Sequence, residues 1–251
     1  FGRRKAMNSL KQTHLFDASD VDFMSRATLV SLQRVFQSVA AADCKRLGVG
    51  TKALSGRGMG WVLSRMKYRF FGMPVLDDCA VFETWTNPPR GCEFVRLLDI
   101  TDERGNLTVQ GVSKWCVLDI NTARLVPVGE VPYDRSQPFR TDNAFGSDFK
   151  KLVFDGEWTR VFDEVIRLSK IDVNGHLNNT RYFEFVTDCF TLEEAGKFGI
   201  SEFQMDFRSQ VREGQTLSVF SAREGEDEFR FKGEADGTVA FLAKMKINKL
   251  K

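Results

Sequence analysis

Asp172-Val173-Asn174-Gly175-His176-Leu177-Asn178-Asn179-Thr180 is the stretch on which the reading of this chain turns. Asp20-Val21-Asp22-Phe23-Met24-Ser25-Arg26-Ala27-Thr28 lines up with it, 152 residues upstream. A helical pattern follows each copy. The first puts Leu29, Leu32, Phe36, Val39 and Ala40 on one stripe, with Gly48 as its stop. The second is shorter, with Tyr182, Phe185, Val186, Cys189 and Phe190 on its stripe, Asn178 or Asn179 as N-cap and a stop near Gly196.

Beyond each helix the apolar period switches to two. Residues 58–71, 79–86, 92–102 and 107–119 read as strands of the first copy, and 203–211, 216–222, 228–232 and 238–247 as strands of the second. The clearest alternation sets Phe203, Met205, Phe207 and Val211 against Gln204, Asp206, Arg208 and Gln210. Residues 127–148, rich in Pro, Gly, Ser and Asp, read as a linker or long loop. Each copy is thus an α+β unit whose helix needs a curved antiparallel sheet to cover its apolar stripe. Joining the two sheets edge to edge removes two exposed edges. Two unrelated α+β domains are the alternative, and the common offset and order favour duplication.

Composition agrees with a globular chain: 251 residues, 42% hydrophobic and 28% charged. A net charge of +2 gives no whole-molecule pull on nucleic acid. No apolar run approaches the ~18 residues of a membrane span, so no membrane insertion is expected. Phe1-Gly2-Arg3-Arg4-Lys5 is basic without an apolar core after it, and does not read as a secretory signal. Five scattered cysteines without a CxxC argue against structural zinc and a disulfide framework, so the expected location is cytoplasmic.

Two histidines limit the chemistry. His14 sits in a predicted first strand with no acid or base beside it in sequence, and reads as structural. His176 lies among Asp172, Asn174, Asn178 and Asn179 at a helix entrance. An imidazole there can take a proton from water at neutral pH, while backbone N–H groups near 177–179 receive a developing oxyanion. A turn that only caps the helix is the plainer alternative. In this alignment Met24 stands where the second copy has His176, so one centre per chain is expected. There is no GxSxG, phosphate-binding loop or HExxH motif, and neither a cofactor nor a metal is expected.

The residues resemble a known family, the plant and bacterial acyl-acyl carrier protein thioesterases, over about residues 13–247. Its marks here are Trp61-Val62-Leu63-Ser64-Arg65-Met66, the run Ser113-Lys114-Trp115-Cys116-Val117-Leu118-Asp119, and Asp172 to Asn179, close to a D-x-N-x-H-x-N-N signature. The resemblance implies a tandem double hotdog sharing a continuous sheet. Residues 8–132 would form an acyl-binding hotdog, 133–152 a linker and 153–251 a catalytic hotdog. It implies Asp172, Asn174 and His176 as catalytic residues, with Gln210 standing where the family carries Glu and Val211 where it carries Cys. Val211 excludes a thiol nucleophile at that place, so His176 with Asp172 is expected to activate water, Asn174 to position the reacting groups and Gln210 to orient by hydrogen bonds. Expected substrate-binding residues are Phe36, Val39, Trp61, Met66, Asn178 and Asn179. The implied partner is acyl carrier protein bearing a phosphopantetheine-linked acyl chain, docking on a basic rim drawn from Lys150, Lys151, Arg181, Arg208 and Arg212. The alternatives are an acyl-CoA thioesterase, a non-catalytic acyl-binding protein and a hydratase, the last ranked low because this chain lacks its D-x-N-P-x-H spacing. Monomer and homodimer both satisfy the pairing of two hotdogs.

Overall fold

The computed structural model describes residues 9–133 and 139–250. The basic opening stretch and part of the linker read from sequence lie outside the described residues. The first half runs β1 (Leu10–Leu15), α1 (Leu29–Arg46), α2 (Thr51–Ser55), β2 (Met59–Phe70), β3 (Cys79–Thr86), β4 (Phe94–Thr101), β5 (Leu107–Asp119) and the short β6 (Leu125–Val126). The second runs β7 (Thr159–Val165), α3 (Arg181–Thr187), α4 (Leu192–Ala195), β8 (Phe198–Phe207), β9 (Thr216–Glu224), β10 (Glu228–Ala235) and β11 (Thr238–Lys249). One antiparallel sheet takes in all of the described strands. Read outward from its centre, the first half is ordered β2-β5-β4-β3-β1 and the second β8-β11-β10-β9-β7, which is the same order twice. This is the tandem double hotdog with a continuous sheet.

The central seam explains its own register. Met66 lies opposite Met205 and Tyr68 opposite Phe203, and all four are fully buried on the helix side. On the other face Arg65 meets Asp206 at 3.0 Å, Lys67 meets Glu202 at 2.9 Å and Arg69 meets Glu202 at 3.3 Å. A slip of one residue would turn the methionines outward and the charges into the core.

The repeat is real, but its spacing is 150 residues rather than 152. Asp22 N–H donates to Arg26 C=O at 2.7 Å as Asp172 N–H donates to His176 C=O at 2.8 Å. The bridge Val21–Ala27 matches Ile171–Leu177, and Ser25 (φ 60°) matches Gly175 (φ 76°) in left-handed backbone. Charge follows the same spacing with inverted sign. Asp20 lies between His14 (2.8 Å) and Arg34, while Lys170 lies between Glu164 (3.5 Å) and Glu184 (3.7 Å). His14 therefore does have an acidic partner, one that is distant in pattern but adjacent in space. The sequence alignment on Asp20 and Asp172 paired two aspartates that are not equivalent; Asp22 is the counterpart of Asp172.

Helix α1 starts on Thr28, whose side chain accepts from Ser31 N–H, and ends as expected at Gly48. Gly48 (φ 76°) closes a Schellman turn, with Gly48 N–H on Lys45 C=O and Val49 N–H on Cys44 C=O. The second helix is not the single short helix of the pattern. It breaks after Thr187, and α4 begins anew on a capping box between Thr191 and Glu194. Strand β8 starts five residues earlier than expected because Phe198 already pairs with Lys249. It stops at Phe207, after which the chain turns Val211 C=O toward the loop at 177.

The inter-repeat segment lies along the sheet face opposite the helices. Arg140 stacks on Trp85 at 3.6 Å, Arg69 on Phe145 at 4.7 Å, Arg65 on Phe149 at 5.5 Å, Arg230 on Phe154 at 4.9 Å and Lys232 on Trp158 at 5.3 Å. Leu152 N–H donates to Asp206 at 2.9 Å. This strap is why Gln204 and Asp206, on the polar side of the alternation, are nevertheless buried.

Candidate active site

The turn at 172–176 is built from its own backbone. Gly175 N–H donates to Asp172 C=O at 3.0 Å, and the Asp172 carboxylate accepts from Asn174 N–H at 2.8 Å and from Asn174 Nδ2 at 3.3 Å. The exit is pinned from two sides, with Leu177 N–H on Val211 C=O at 2.8 Å and Asn178 N–H on Lys170 C=O at 2.9 Å. Those two N–H groups are therefore committed to the scaffold. Of the three expected to meet an oxyanion, that of Asn179 has no partner among the described residues. Neither asparagine is the N-cap of α3. That position is Thr180, and Asn178 Oδ1 accepts from its N–H (2.9 Å) and hydroxyl (2.8 Å).

The His176 ring is half-buried and makes no hydrogen bond among the described residues. Burial lowers its pKa from 6.5, the Arg212 cation pushes the same way and Asp172 opposes in part. The ring is thus neutral and basic at neutral pH. Tyr182 is buried, and burial, reinforced by the Asp172 charge, drives its hydroxyl pKa well up.

A cavity of about 300 Å³ opens beside this turn. Asp172, Val173, Asn174 and Asn179 form the wall contributed by the second half. The rest comes from the first half: Ala40 and Ala41 on α1, Leu54 on α2, Trp61 on β2, Trp115 on β5 and Phe94 on β4. The α1 residues Gln37, Ala40, Ala41 and Cys44 that line it share a face at helical spacing. Trp61 is fixed by its Nε1–H on Val49 C=O at 2.8 Å and an edge contact with Phe94 at 4.9 Å.

Of the residues singled out from sequence, Asp172, Asn174, Asn179 and Trp61 meet at this cavity. Phe36, Val39 and Met66 do not line it; they are packed into the main core between helix and sheet. Asn178 is occupied in the turn, and His176 follows the wall residues without itself lining the cavity. Gln210 is exposed, one residue before the carbonyl that pins the loop. Of the expected basic rim, Arg212 is beside His176. Arg208 is tied to Leu152 C=O on the strap side, the Lys150 C=O holds Gln204 there with Lys151 next to it in the chain, and Arg181 pairs with Glu184. Sequence reasoning missed Arg96, Thr86, Tyr133 and Cys44, which also line the cavity and lie in separate segments.

At the repeat spacing of 150 residues, Phe190 is the second-half counterpart of Ala40. Phe190 packs against Phe198, Phe229 and Phe231 at 5.1, 5.0 and 5.8 Å. Arg26, the counterpart of His176, binds Asp22 and donates to Phe198 C=O at 2.9 Å.

The family model for the acyl-ACP thioesterase N-terminal domain matches residues 8–134, and that for the C-terminal domain matches 161–247. An acyl-[acyl-carrier-protein] hydrolase of Cuphea viscosissima is 22% identical over 226 residues, covering 85% of this chain and 55% of the relative. An oleoyl-acyl carrier protein thioesterase of Arabidopsis thaliana is 21% identical over 238 residues, covering 88% and 64%. Both names carry the word chloroplastic. The chain spans between about half and two thirds of the length of the curated relatives it matches. Among solved structures, an acyl-ACP thioesterase from Bacteroides thetaiotaomicron superposes with a TM-score of 0.85 at 23% identity, covering 96% of this chain and 98% of that one. A 12:0-ACP thioesterase from Umbellularia californica does so with 0.85 at 17%, covering 97% and 98%. These two establish the shared fold.

Proposed function

As the chain belongs to the acyl-ACP thioesterase family, we propose that it hydrolyses the thioester of a fatty acyl group carried on acyl carrier protein, releasing the free acid. The observation that carries this reading is the cavity itself. Its first-half wall carries an apolar stretch of Ala40, Ala41, Leu54, Trp61, Phe94 and Trp115 and its edge is the polar turn of the second half, so an acyl chain lying along that stretch presents its carbonyl to Asp172, Asn174 and Asn179. Burial of the chain stabilises the complex by about 0.8 kcal/mol per methylene.

In this mechanism water attacks the carbonyl carbon while the neutral His176 ring accepts its proton. Asp172 favours the imidazolium so formed, and it also holds Asn174, whose amide is aimed by that contact. The Asn179 N–H stabilises the oxyanion. Collapse of the tetrahedral intermediate breaks the C–S bond, and the thiolate recovers the proton from His176. Gln210 orients the water and, lacking a carboxylate, transfers no proton. We divide the chain accordingly into an acyl-binding unit (8–132), a linking segment (133–152) and a catalytic unit (153–251). Free thiols at all five cysteines support a reducing compartment such as the cytoplasm, and no described helix is long and apolar enough to cross a membrane.

The test is release of free thiol from a chain-length series presented on acyl carrier protein and on coenzyme A. The expected result is release with higher kcat/KM on the carrier, falling as salt is raised. Ligand bound in the cavity with no thiol released from either series would favour the non-catalytic reading, which Gln210 motivates.

A further inference from the structure

The cavity ends in polar groups that thioester hydrolysis does not use. Thr86 on β3 and Arg96 on β4 are cross-strand neighbours, and both line the wall together with Tyr133 and Cys44. The catalytic turn belongs to the second half, which joins the sheet at the β2–β8 seam, and Thr86 and Arg96 lie on the far side of β2 from that seam. Trp61 and Met59 line the cavity from β2, and the order β2-β5-β4-β3 separates Arg96 and Thr86 from them by two and three strand spacings. At about 4.8 Å per strand this is roughly 10 and 14 Å.

Arg96 is only 3% exposed. Its Nη1 donates to Asp43 at 2.7 Å and to Thr84 at 3.3 Å. Among the described residues its Nη2 has only a sulfur to donate to, Cys44 Sγ at 3.4 Å, and a thiol is a weak acceptor. Burial pushes the Cys44 thiol pKa up, so it stays protonated and brings no charge. Around Asp43 the guanidinium groups of Arg96 and Arg46 outnumber the one carboxylate. Beside them the Tyr133 hydroxyl lies 3.1 Å from Thr86 Oγ1. A chain ending in methyl would set hydrocarbon against a desolvated guanidinium and leave its N–H without an oxygen.

We propose that the acyl group accepted by this cavity carries a hydrogen-bond-accepting oxygen at its distal end, as a hydroxyl, keto or carboxylate group, received by Arg96 Nη2 and the Tyr133–Thr86 pair. The inference rests on the reading that the cavity holds the acyl chain of a thioester. Arg96 is then the residue that sets substrate class, and the apolar wall between it and the turn sets the spacing from thioester to oxygen.

The test is calorimetric binding of non-hydrolysable pantetheine amides of a medium-chain acid, its ω-hydroxy and its ω-carboxy counterparts. The expected result is that the chain binds at least one oxygenated amide about tenfold more tightly than the methyl-ended one, the scale of one charge-assisted hydrogen bond. The double variant Arg96→Met/Asp43→Asn, which removes both buried charges together, loses that preference. Tyr133→Phe, which keeps the ring and its packing, weakens it and serves where the double variant does not fold. Equal or tighter binding of the methyl-ended amide by the unaltered chain overturns the proposal. Thiol release on matching thioesters separates the two readings. An oxygen preference in binding with no release from any thioester defeats the hydrolase reading alone, and release with a preference for methyl-ended chains defeats this inference alone.

Discussion

Arg26 and His176 occupy the same position of the repeated turn, 150 residues apart, with the same backbone bond to an aspartate N–H four residues upstream. What differs is the fate of the side chain. Arg26 is held by Asp22 and by the carbonyls of Ala195 and Phe198, whereas the imidazole makes no hydrogen bond among the described residues and follows in sequence the residues that wall the cavity. One copy of the turn became a fastener between the halves and the other kept a free base.

If Arg26 is a fastener, Arg26→Met costs about 1–3 kcal/mol of stability, because it strips a partly buried carboxylate and two carbonyls of a shared donor. Denaturant titration of the variant against the unaltered chain measures this as a drop in midpoint. An unchanged midpoint would remove Arg26 from that role.

The acid limb of the activity profile follows from the sign of the His176 shift. The base form exists above its pKa, and that pKa is lowered from 6.5, mainly by burial. Accordingly kcat/KM rises with pH to a plateau, with a midpoint below 6.5. Arg212→Gln removes a cation that favours the neutral ring and moves the midpoint up; Asp172→Asn removes an anion that favours the charged ring and moves it down. With two histidines in the chain, proton NMR of the ring signals reads both shifts even where turnover is lost.

The buried pair Asp43–Arg96 has side chains 1% and 4% exposed. Removing one partner strands the other charge, so Asp43→Ala is expected to destabilise by about 3–5 kcal/mol. Replacing both with neutral residues is expected to recover much of that loss. Thermal melts of the single and double variants check the difference.

Ala40 is 6% exposed and its face of α1 lines the cavity. Ala40→Phe is expected to lower kcat/KM on a long-chain thioester by about tenfold or more while sparing a short one. Comparison of acetyl and long-chain thioesters shows whether the loss grows with chain length; a uniform loss would point to general disruption of the fold instead.

Much of the architecture was legible in the residues, because helix and strand periods are local. β3 and β5 begin and end where alternation predicts, at Cys79–Thr86 and Leu107–Asp119. What was hidden depended on contacts between distant segments. The true repeat spacing rests on backbone bonds around Asp22 and Asp172, not on matching letters. The burial of Asp206 depends on a strap whose aromatic residues are scattered over 145–158 and show no period of their own. Phe36 and Val39 carry the same apolar signal as a lining residue, and only the helix's rotation against the sheet reveals that Ala40 and Ala41 face the cavity while those two face the core. The polar end of the cavity comes from α1, β3, β4 and the segment after β6, so no motif announced it.

The central claim is that His176 is the base. Purified chain and its His176→Ala variant, compared for thiol release from an acyl carrier thioester at saturating substrate, test it most directly. The account predicts a fall in kcat of about 10²–10⁴-fold, with the melting temperature unchanged because the ring makes no hydrogen bond among the described residues. Turnover retained in full by the variant would contradict it.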